Sequence, residues 1–158
     1  MNFANELAAL FRRDLTRLTQ ELHAFGSESD LWRTLPGVSN SAGNLTLHLE
    51  GNMREYVGRL LGNVAYTRER PLEFSLREIT LKTLTMRIDE VKGLVVSVID
   101  GLSVERLDST FPVNIWGTPF STRQTLMSLH AHVNFHLGQI DYLRRILTSG
   151  AAIELAGL

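Results

Sequence analysis

The chain has 158 residues, of which 44% are hydrophobic and 21% charged, and its formal net charge at pH 7 is −1. This length and composition are typical of a single soluble domain, which we expect to span residues 1–158. A net charge so close to zero gives no electrostatic reason to expect binding to nucleic acid or to an anionic membrane. The chain has no cysteine. This excludes disulfides, thiolate nucleophiles and cysteine-ligated zinc, so any metal must be held by His, Asp, Glu or similar ligands.

The first residues, MNFANELAALFRRDLTRL, do not have the pattern of a signal peptide. Asn, Glu, Arg and Asp interrupt the apolar positions, whereas a signal peptide needs an unbroken apolar core. No stretch of the chain approaches the ~18 uninterrupted apolar residues expected of a transmembrane helix. We therefore expect a cytoplasmic protein that does not enter a membrane.

Apolar residues that recur every three or four positions predict four long amphipathic helices. Ser75 followed by Glu78 has the pattern of a capping box and is expected to start the third helix. Four such helices joined by modest links predict an all-α fold, a four-helix bundle. The helices are expected over residues 2–25, 41–61, 75–101 and 122–147.

Three connecting segments are expected to be irregular. Residues 26–43 are rich in Gly and Ser and form a predicted linker. The polar residues 62–75 predict a loop long enough for a crossover, so the second and third helices need not be simple antiparallel neighbours. Residues 102–121 place β-type residues around Gly and Pro, which predicts a long loop or a short hairpin before the last helix.

Two histidines of the last predicted helix, His132 and His136, are four residues apart and therefore share one helical face. Imidazoles so placed can converge on one divalent ion, with metal–nitrogen distances of ~2.0–2.1 Å for zinc. His48 lies on the apolar face of the second predicted helix, and a bundle core can bring facing helices to a common site. Three neutral imidazoles leave a coordination position open, which is typical of catalytic or ligand-binding sites. Such a pair also arises by chance, so the residues alone leave a purely structural role open.

Gln139 and Asn52 are candidates for holding these histidines or a bound ligand. Gln139 follows His136 by three residues, and Asn52 follows His48 by four, so each lies on the face of its histidine. Glu55, a further turn along, could orient His48 or act on a bound water. Helix packing of the Gln139 amide and solvation of Glu55 are the simpler alternatives.

Other charged residues are expected to lie away from this cluster. His130 precedes His132 by two residues and so points about 200° around the helix from it. Arg68 and Arg70, in the predicted loop 62–75, are expected to face solvent, where they could attract an anionic cofactor.

At these residues the chain resembles the DinB-like superfamily of bacterial four-helix bundles. Residues 132–140, HVNFHLGQI, are similar to the late H-x-x-x-H-x-G-Q motif of that superfamily, and residues 47–52, LHLEGN, are similar to its earlier single-histidine motif. Residues 35–41, LPGVSNS, look like the segment that leads into the second helix in one uncharacterised subgroup. The resemblance covers nearly the whole chain in the order and spacing of its helices.

The resemblance implies a DinB-like four-helix bundle that binds one divalent ion, such as nickel or zinc, through His48, His132 and His136. It also implies a homodimer. Characterised relatives include bacillithiol-dependent thiol S-transferases and mycothiol-dependent maleylpyruvate isomerase. The resemblance therefore implies a small-molecule substrate, a low-molecular-weight thiol as cofactor, and either thiol transfer or metal-assisted hydrolysis. No catalytic acid or base can be named from the sequence.

Two alternatives to an enzyme stay open at the level of the sequence. The first is a non-catalytic metal- or ligand-binding dimeric bundle that acts in stress response. The second is a vestigial site that holds no metal.

Overall fold

The computed structural model describes residues 2–154, so Met1 and residues 155–158 of the predicted domain lie outside the described part. The fold is all-helical, as predicted. Within residues 2–154 no β-strand forms, and the only β-type pairing is an isolated antiparallel bridge between Thr110 and Ser121. A π-helical segment, Arg54–Arg59, directly continues the third helix. The α-helices are α1 (Phe3–His23), α2 (Glu28–Trp32), α3 (Ala42–Met53), α4 (Arg70–Ser75), α5 (Leu81–Asp100), α6 (Val104–Asp108) and α7 (Thr122–Thr148).

The four longest helices enclose one apolar core. Helix α1 packs mainly against α5 and α7, and α3 packs against the same two helices, so α1 and α3 are separated by the other pair. Fully buried side chains from all four helices meet in this core, among them Phe11, Leu49, Ile88 and Leu126. Burial of each such side chain stabilises the fold by roughly 1.5–3 kcal/mol. None of the described helices is long and apolar enough to span a membrane.

The third long helix starts later than the sequence pattern predicts. It begins at Leu81, and the side chain of Thr80 caps it by accepting a hydrogen bond from the Thr83 amide. Ser75 instead ends α4, and Glu78 has a φ of 66°, a left-handed conformation that a helix cannot contain. The predicted capping box of Ser75 and Glu78 is therefore wrong.

The three predicted irregular segments each contain a short helix. Ser27 caps α2 and Ser103 caps α6, while Pro71 lies in the first turn of α4. After α6, the loop or hairpin predicted within residues 102–121 is a loop closed by a single antiparallel bridge, and the described residues there form no strand. Helices this short give no visible apolar periodicity, which is why the sequence pattern predicted loops.

Helix α7 agrees with the prediction almost to the residue. Its first turn is closed by a capping box in which Ser121 accepts from the Gln124 amide and the Gln124 side chain accepts from the Ser121 amide. The fully buried Val133 and Ile140 set the rotation of the helix against the core. This rotation decides which of its polar side chains face α3.

Candidate metal centre

Three imidazole rings from α3 and α7 meet at one point. His132 Nε2 lies 3.3 Å from His48 Nε2 and 3.0 Å from His136 Nε2. One ring nitrogen from each residue can be chosen so that all three lie within 4.8 Å of one another. The structure thus brings together the three histidines that the sequence pattern singled out, and we call them the histidine cluster.

The other nitrogen of two of these rings is held by an oxygen that can only accept. His48 Nδ1 lies 2.8 Å from Glu73 Oε2, and His136 Nδ1 lies 2.7 Å from Gln139 Oε1. Each Nδ1 therefore carries the hydrogen of its neutral ring and donates it. Both rings present an Nε2 lone pair toward the centre of the cluster, which is the arrangement a metal ligand needs.

Glu73 is itself fixed by an arginine and by a close approach of the backbone. Arg68 Nε and Nη2 donate to the two oxygens of Glu73 at 2.6 and 2.9 Å. Gly51 makes room for this carboxylate, because a Cβ at Gly51 would lie 2.2 Å from Glu73 Oε1. The carboxylate consequently reaches His48 across the surface of α3.

Sequence reasoning missed Glu73 and misplaced Arg68. Both residues fall in the predicted loop 62–75, where Arg68 was expected to face solvent. Its side chain is instead only 12% exposed and forms an ion pair with Glu73. No local pattern marks Glu73, because its partner His48 is distant in the chain and the two meet only in the tertiary structure. The one signal in the sequence is that Glu73 is an acidic residue shortly after Pro71, a pattern typical of the first turn of a helix.

The electrostatics favour neutral rings beside an ionised carboxylate. Burial lowers the pKa of His132 to about 4, and the neighbouring His136, His48 and Arg68 add to the shift. Burial also lowers the pKa of His136, although its bond to Gln139 opposes the shift. Burial disfavours the charged form of Glu73, but its bonds to His48 and Arg68 outweigh that effect and lower its pKa. Protons therefore compete weakly for His132 and His136 at neutral pH.

The donor set and spacing of the histidine cluster fit a divalent ion. Only His132 has a free choice of hydrogen position. A hydrogen on its Nε2 can reach only one of the two facing lone pairs, while Asn52 Nδ2 lies 3.4 Å from that of His48. His132 Nδ1 is buried and has no hydrogen-bond partner among the described residues. Two nitrogens bound at ~2.0–2.1 Å to a tetrahedral ion are about 3.3 Å apart, close to the separations of 3.0 and 3.3 Å observed here.

Asn52 lies beside the cluster, and Glu55 does not. Asn52 is buried, with its Nδ2 atom 3.4 Å from His48 Nε2. Glu55 instead forms an ion pair with Arg59. The π-helical segment begins at Arg54 and shifts the register of the helix there. Glu55 therefore leaves the face that regular α-helical spacing predicted for it.

Two aromatic rings border the histidine cluster. The centroid of Phe74 lies 5.1 Å from that of His48, and the centroid of Phe135 lies 5.2 Å from that of His136. Phe135 is 62% exposed. Arg70, which is exposed, places its guanidinium 5.2 Å from the centre of the Phe74 ring. Two aromatic side chains and the Arg70 guanidinium therefore lie next to the histidine cluster.

The neighbouring histidine of α7 lies outside the cluster, as predicted. His130 Nε2 lies 2.8 Å from Asp14 Oδ2 on α1, and Asn134 Nδ2 donates to the same oxygen at 2.9 Å. These contacts belong to a separate buried group of polar side chains that joins α1 to α7.

An all-helical fold with three converging imidazoles defines the class: a helical protein with a candidate metal centre. A family model described as "Protein of unknown function (DUF1572)" matches residues 2–156. The chain belongs to this DUF1572 family. No curated protein matches the sequence. Membership of the DinB-like superfamily stays a prediction.

Proposed function

We propose that this protein is a divalent-metal-dependent enzyme with a DinB-like bundle, in which His48, His132 and His136 hold one ion such as nickel or zinc. The observation that carries the proposal is the convergence of the three rings, with the Nδ1 hydrogens of His48 and His136 already donated to Glu73 and Gln139. Imidazole ligands suit zinc, nickel, copper and iron, so the donor set does not select one of these metals.

The proposed reaction is transfer of a low-molecular-weight thiol to an electrophile, or metal-assisted hydrolysis. When bound, the ion would supply Lewis-acid chemistry and lower the pKa of a coordinated water or thiol. Neutral ligands leave the positive charge of such an ion undiminished. The chain has no cysteine, so in the thiol reaction the nucleophile must arrive with a cofactor.

The side chains around the cluster have positioning roles in this proposal. Glu73 and Arg68 hold the His48 ring in one orientation, and Gln139 does the same for His136. Phe74 and Phe135 pack beside the rings of His48 and His136. Asn52 is placed to donate toward the centre of the cluster.

Metal analysis of purified protein tests the metal centre directly. We expect the wild-type protein to bind one nickel or zinc ion per chain in isothermal titration calorimetry, and we expect His132→Ala to abolish this binding. His23→Ala is the matched control, because His23 is exposed at the end of α1. Equal binding by wild type and His132→Ala would contradict the metal centre.

Turnover assays separate an enzyme from a non-catalytic metal protein. Metal-loaded protein is tested for conjugation of monochlorobimane with a panel of low-molecular-weight thiols, and for hydrolysis of p-nitrophenyl esters. We expect one of these activities to require both the metal and His132, and to survive in His23→Ala. Metal binding without either activity would instead support the non-catalytic alternative.

A further inference from the structure

A cleft of ≈ 430 Å³ lies between α7 and the segment that leads into α3. Its floor includes Leu45 and Leu143, which are 4% and 5% exposed, and its rim includes Val38 and Ile146. None of the described residues that line it carries a formal charge. Its volume is within the range of small-molecule sites, roughly 300–1,000 Å³.

The cleft and the histidine cluster share one groove between α3 and α7. Leu45 lines the cleft one helical turn before His48, and Gln139 lines it one turn after His136. Three residues of helix correspond to a rise of ~4.5 Å, so the cleft begins about one turn from the rings. The order of these residues along the two helices also shows that α3 and α7 run antiparallel at this point.

Gln139 connects the two parts of the groove physically. Its amide oxygen accepts the hydrogen of His136 Nδ1, while the same side chain forms part of the cleft wall. A molecule that fills the cleft therefore touches the residue that orients His136. A site that combines mainly apolar walls with a few polar groups at one end is the usual form of a small-molecule pocket.

We propose that the cleft binds the apolar portion of a substrate whose polar end reaches the histidine cluster. The substrate class is a small amphiphilic molecule with a metal-ligating head and an uncharged chain or ring. This inference rests on the proposed metal function. It names the type of substrate, which the cluster alone does not determine.

The test uses two hydroxamates that share a metal-ligating head and differ in their alkyl chain. Acetohydroxamate and octanohydroxamate are titrated into the zinc-loaded protein by calorimetry. Each methylene buried in the cleft tightens binding about fourfold. Octanohydroxamate has about six more carbons than acetohydroxamate, and burial of only about three of them should tighten its binding to the wild-type protein by about 60-fold.

The variant Val38→Asp places a charge in the cleft wall, and Val113→Asp is its matched control. Val38 is 38% exposed and Val113 is 41% exposed, and both lie in loops, but only Val38 lines the cleft. We expect Val38→Asp to remove most of the advantage of the long chain while leaving the affinity for acetohydroxamate unchanged. Ile146→Gln, on the exposed surface of α7, serves as a second cleft variant if Val38→Asp fails to fold.

The outcomes distinguish this inference from the metal function. If neither hydroxamate binds the zinc-loaded protein, the metal function fails and this inference fails with it. If both bind equally tightly, the metal centre stands and the cleft proposal is overturned. It is also overturned if Val113→Asp has the same effect as Val38→Asp. A change in molar mass by light scattering in Val38→Asp alone would show that a second copy of the chain covers the cleft, and would overturn it too.

Discussion

At the scale of single residues, the histidine cluster depends on the partners of the ring nitrogens that point away from its centre. Glu73 and Gln139 each accept a hydrogen from an Nδ1 atom, and this leaves the Nε2 lone pairs of His48 and His136 directed inward. His132 has no such partner among the described residues. The orientation of the cluster therefore rests on two of its three rings.

We expect Glu73→Gln to weaken metal binding. The amide keeps the size of the side chain but removes the charge that binds Arg68, and loss of such a partner of a ligating histidine typically costs 10–100-fold in affinity. The measurement is calorimetric titration with zinc. Glu69→Gln, on an exposed neighbouring residue, is the control and is expected to match the wild type. Equal affinities for all three proteins would show that Glu73 does not position His48.

The depressed pKa of His132 predicts how the metal-free protein responds to acid. Between pH 6.5, the ordinary pKa of histidine, and about pH 4, His132 is protonated in the unfolded chain but neutral in the folded chain. The free energy of unfolding should therefore fall as the pH drops from 6.5 to 4, by about 3 kcal/mol from this group. Urea denaturation in the presence of a chelator measures the effect. In His132→Gln this part of the pH dependence should disappear, and an unchanged slope would contradict the assignment.

At the scale of the elements, the short helix α4 is important because it brings Glu73 and Phe74 to the cluster. It can lie this close to α3 because Gly51 has no side chain. The close approach of α4 to α3 therefore requires that residue 51 have no Cβ atom.

Gly51→Ala should disturb the site although alanine favours helices. The added Cβ would overlap the Glu73 carboxylate, which Arg68 and His48 hold in place, so the carboxylate must move and lose those bonds. We expect a loss of about 1–3 kcal/mol in the free energy of unfolding, together with weaker zinc binding.

Gly93→Ala is the matched control for this substitution. Gly93 lies inside α5 and has open space where its Cβ would be. We expect it to raise the free energy of unfolding by about 0.5–1 kcal/mol and to leave zinc binding unchanged. If Gly51→Ala behaves in the same way as Gly93→Ala, the close approach of Glu73 is not what holds α4 in place.

At the scale of the whole molecule, Asp14 is the centre of a polar network that joins α1 to α7. Its fully buried carboxylate accepts hydrogen bonds from side chains of both helices. Burial disfavours its charged form, but these bonds outweigh that effect and hold its pKa well below the usual range. The donors are Arg13, Arg17, His130 and Asn134.

Asp14→Asn should therefore be strongly destabilising. Removing one partner of a buried charged network costs about 3–5 kcal/mol, because the remaining charge of Arg17 loses its partner. Asp89→Asn, at an exposed pair with Lys92, should cost less than about 1 kcal/mol. Urea denaturation at pH 7 compares the two variants. Because the pKa of Asp14 is lowered in the folded protein, its contribution to stability should be fully present above pH 3.8 and should be lost as the pH falls further. Equal losses of stability in Asp14→Asn and Asp89→Asn at pH 7 would contradict the role of this network.

Features that follow from local helical geometry could be predicted from the order of the amino acids alone. The periodicity of 3.6 residues predicted α1 and α7 within a few residues, placed His132 and His136 on one face, and put His48 on the inner face of α3. It could not place the start of α5 or reveal α2, α4 and α6. Short helices show too little periodicity, and the left-handed conformation of Glu78 has no local signal.

The contacts of His48 with the other two rings, with Glu73 and with Arg68 arise from the packing of the folded chain and could not be predicted from local patterns. These contacts join residues that are far apart in the chain, and they depend on the packing of α3 against α7 and α4. Sequence spacing sets the face on which a side chain lies, but not the height at which two helices meet. The register between α3 and α7 is set by the fit of their buried apolar side chains, and that fit exists only once the core has formed.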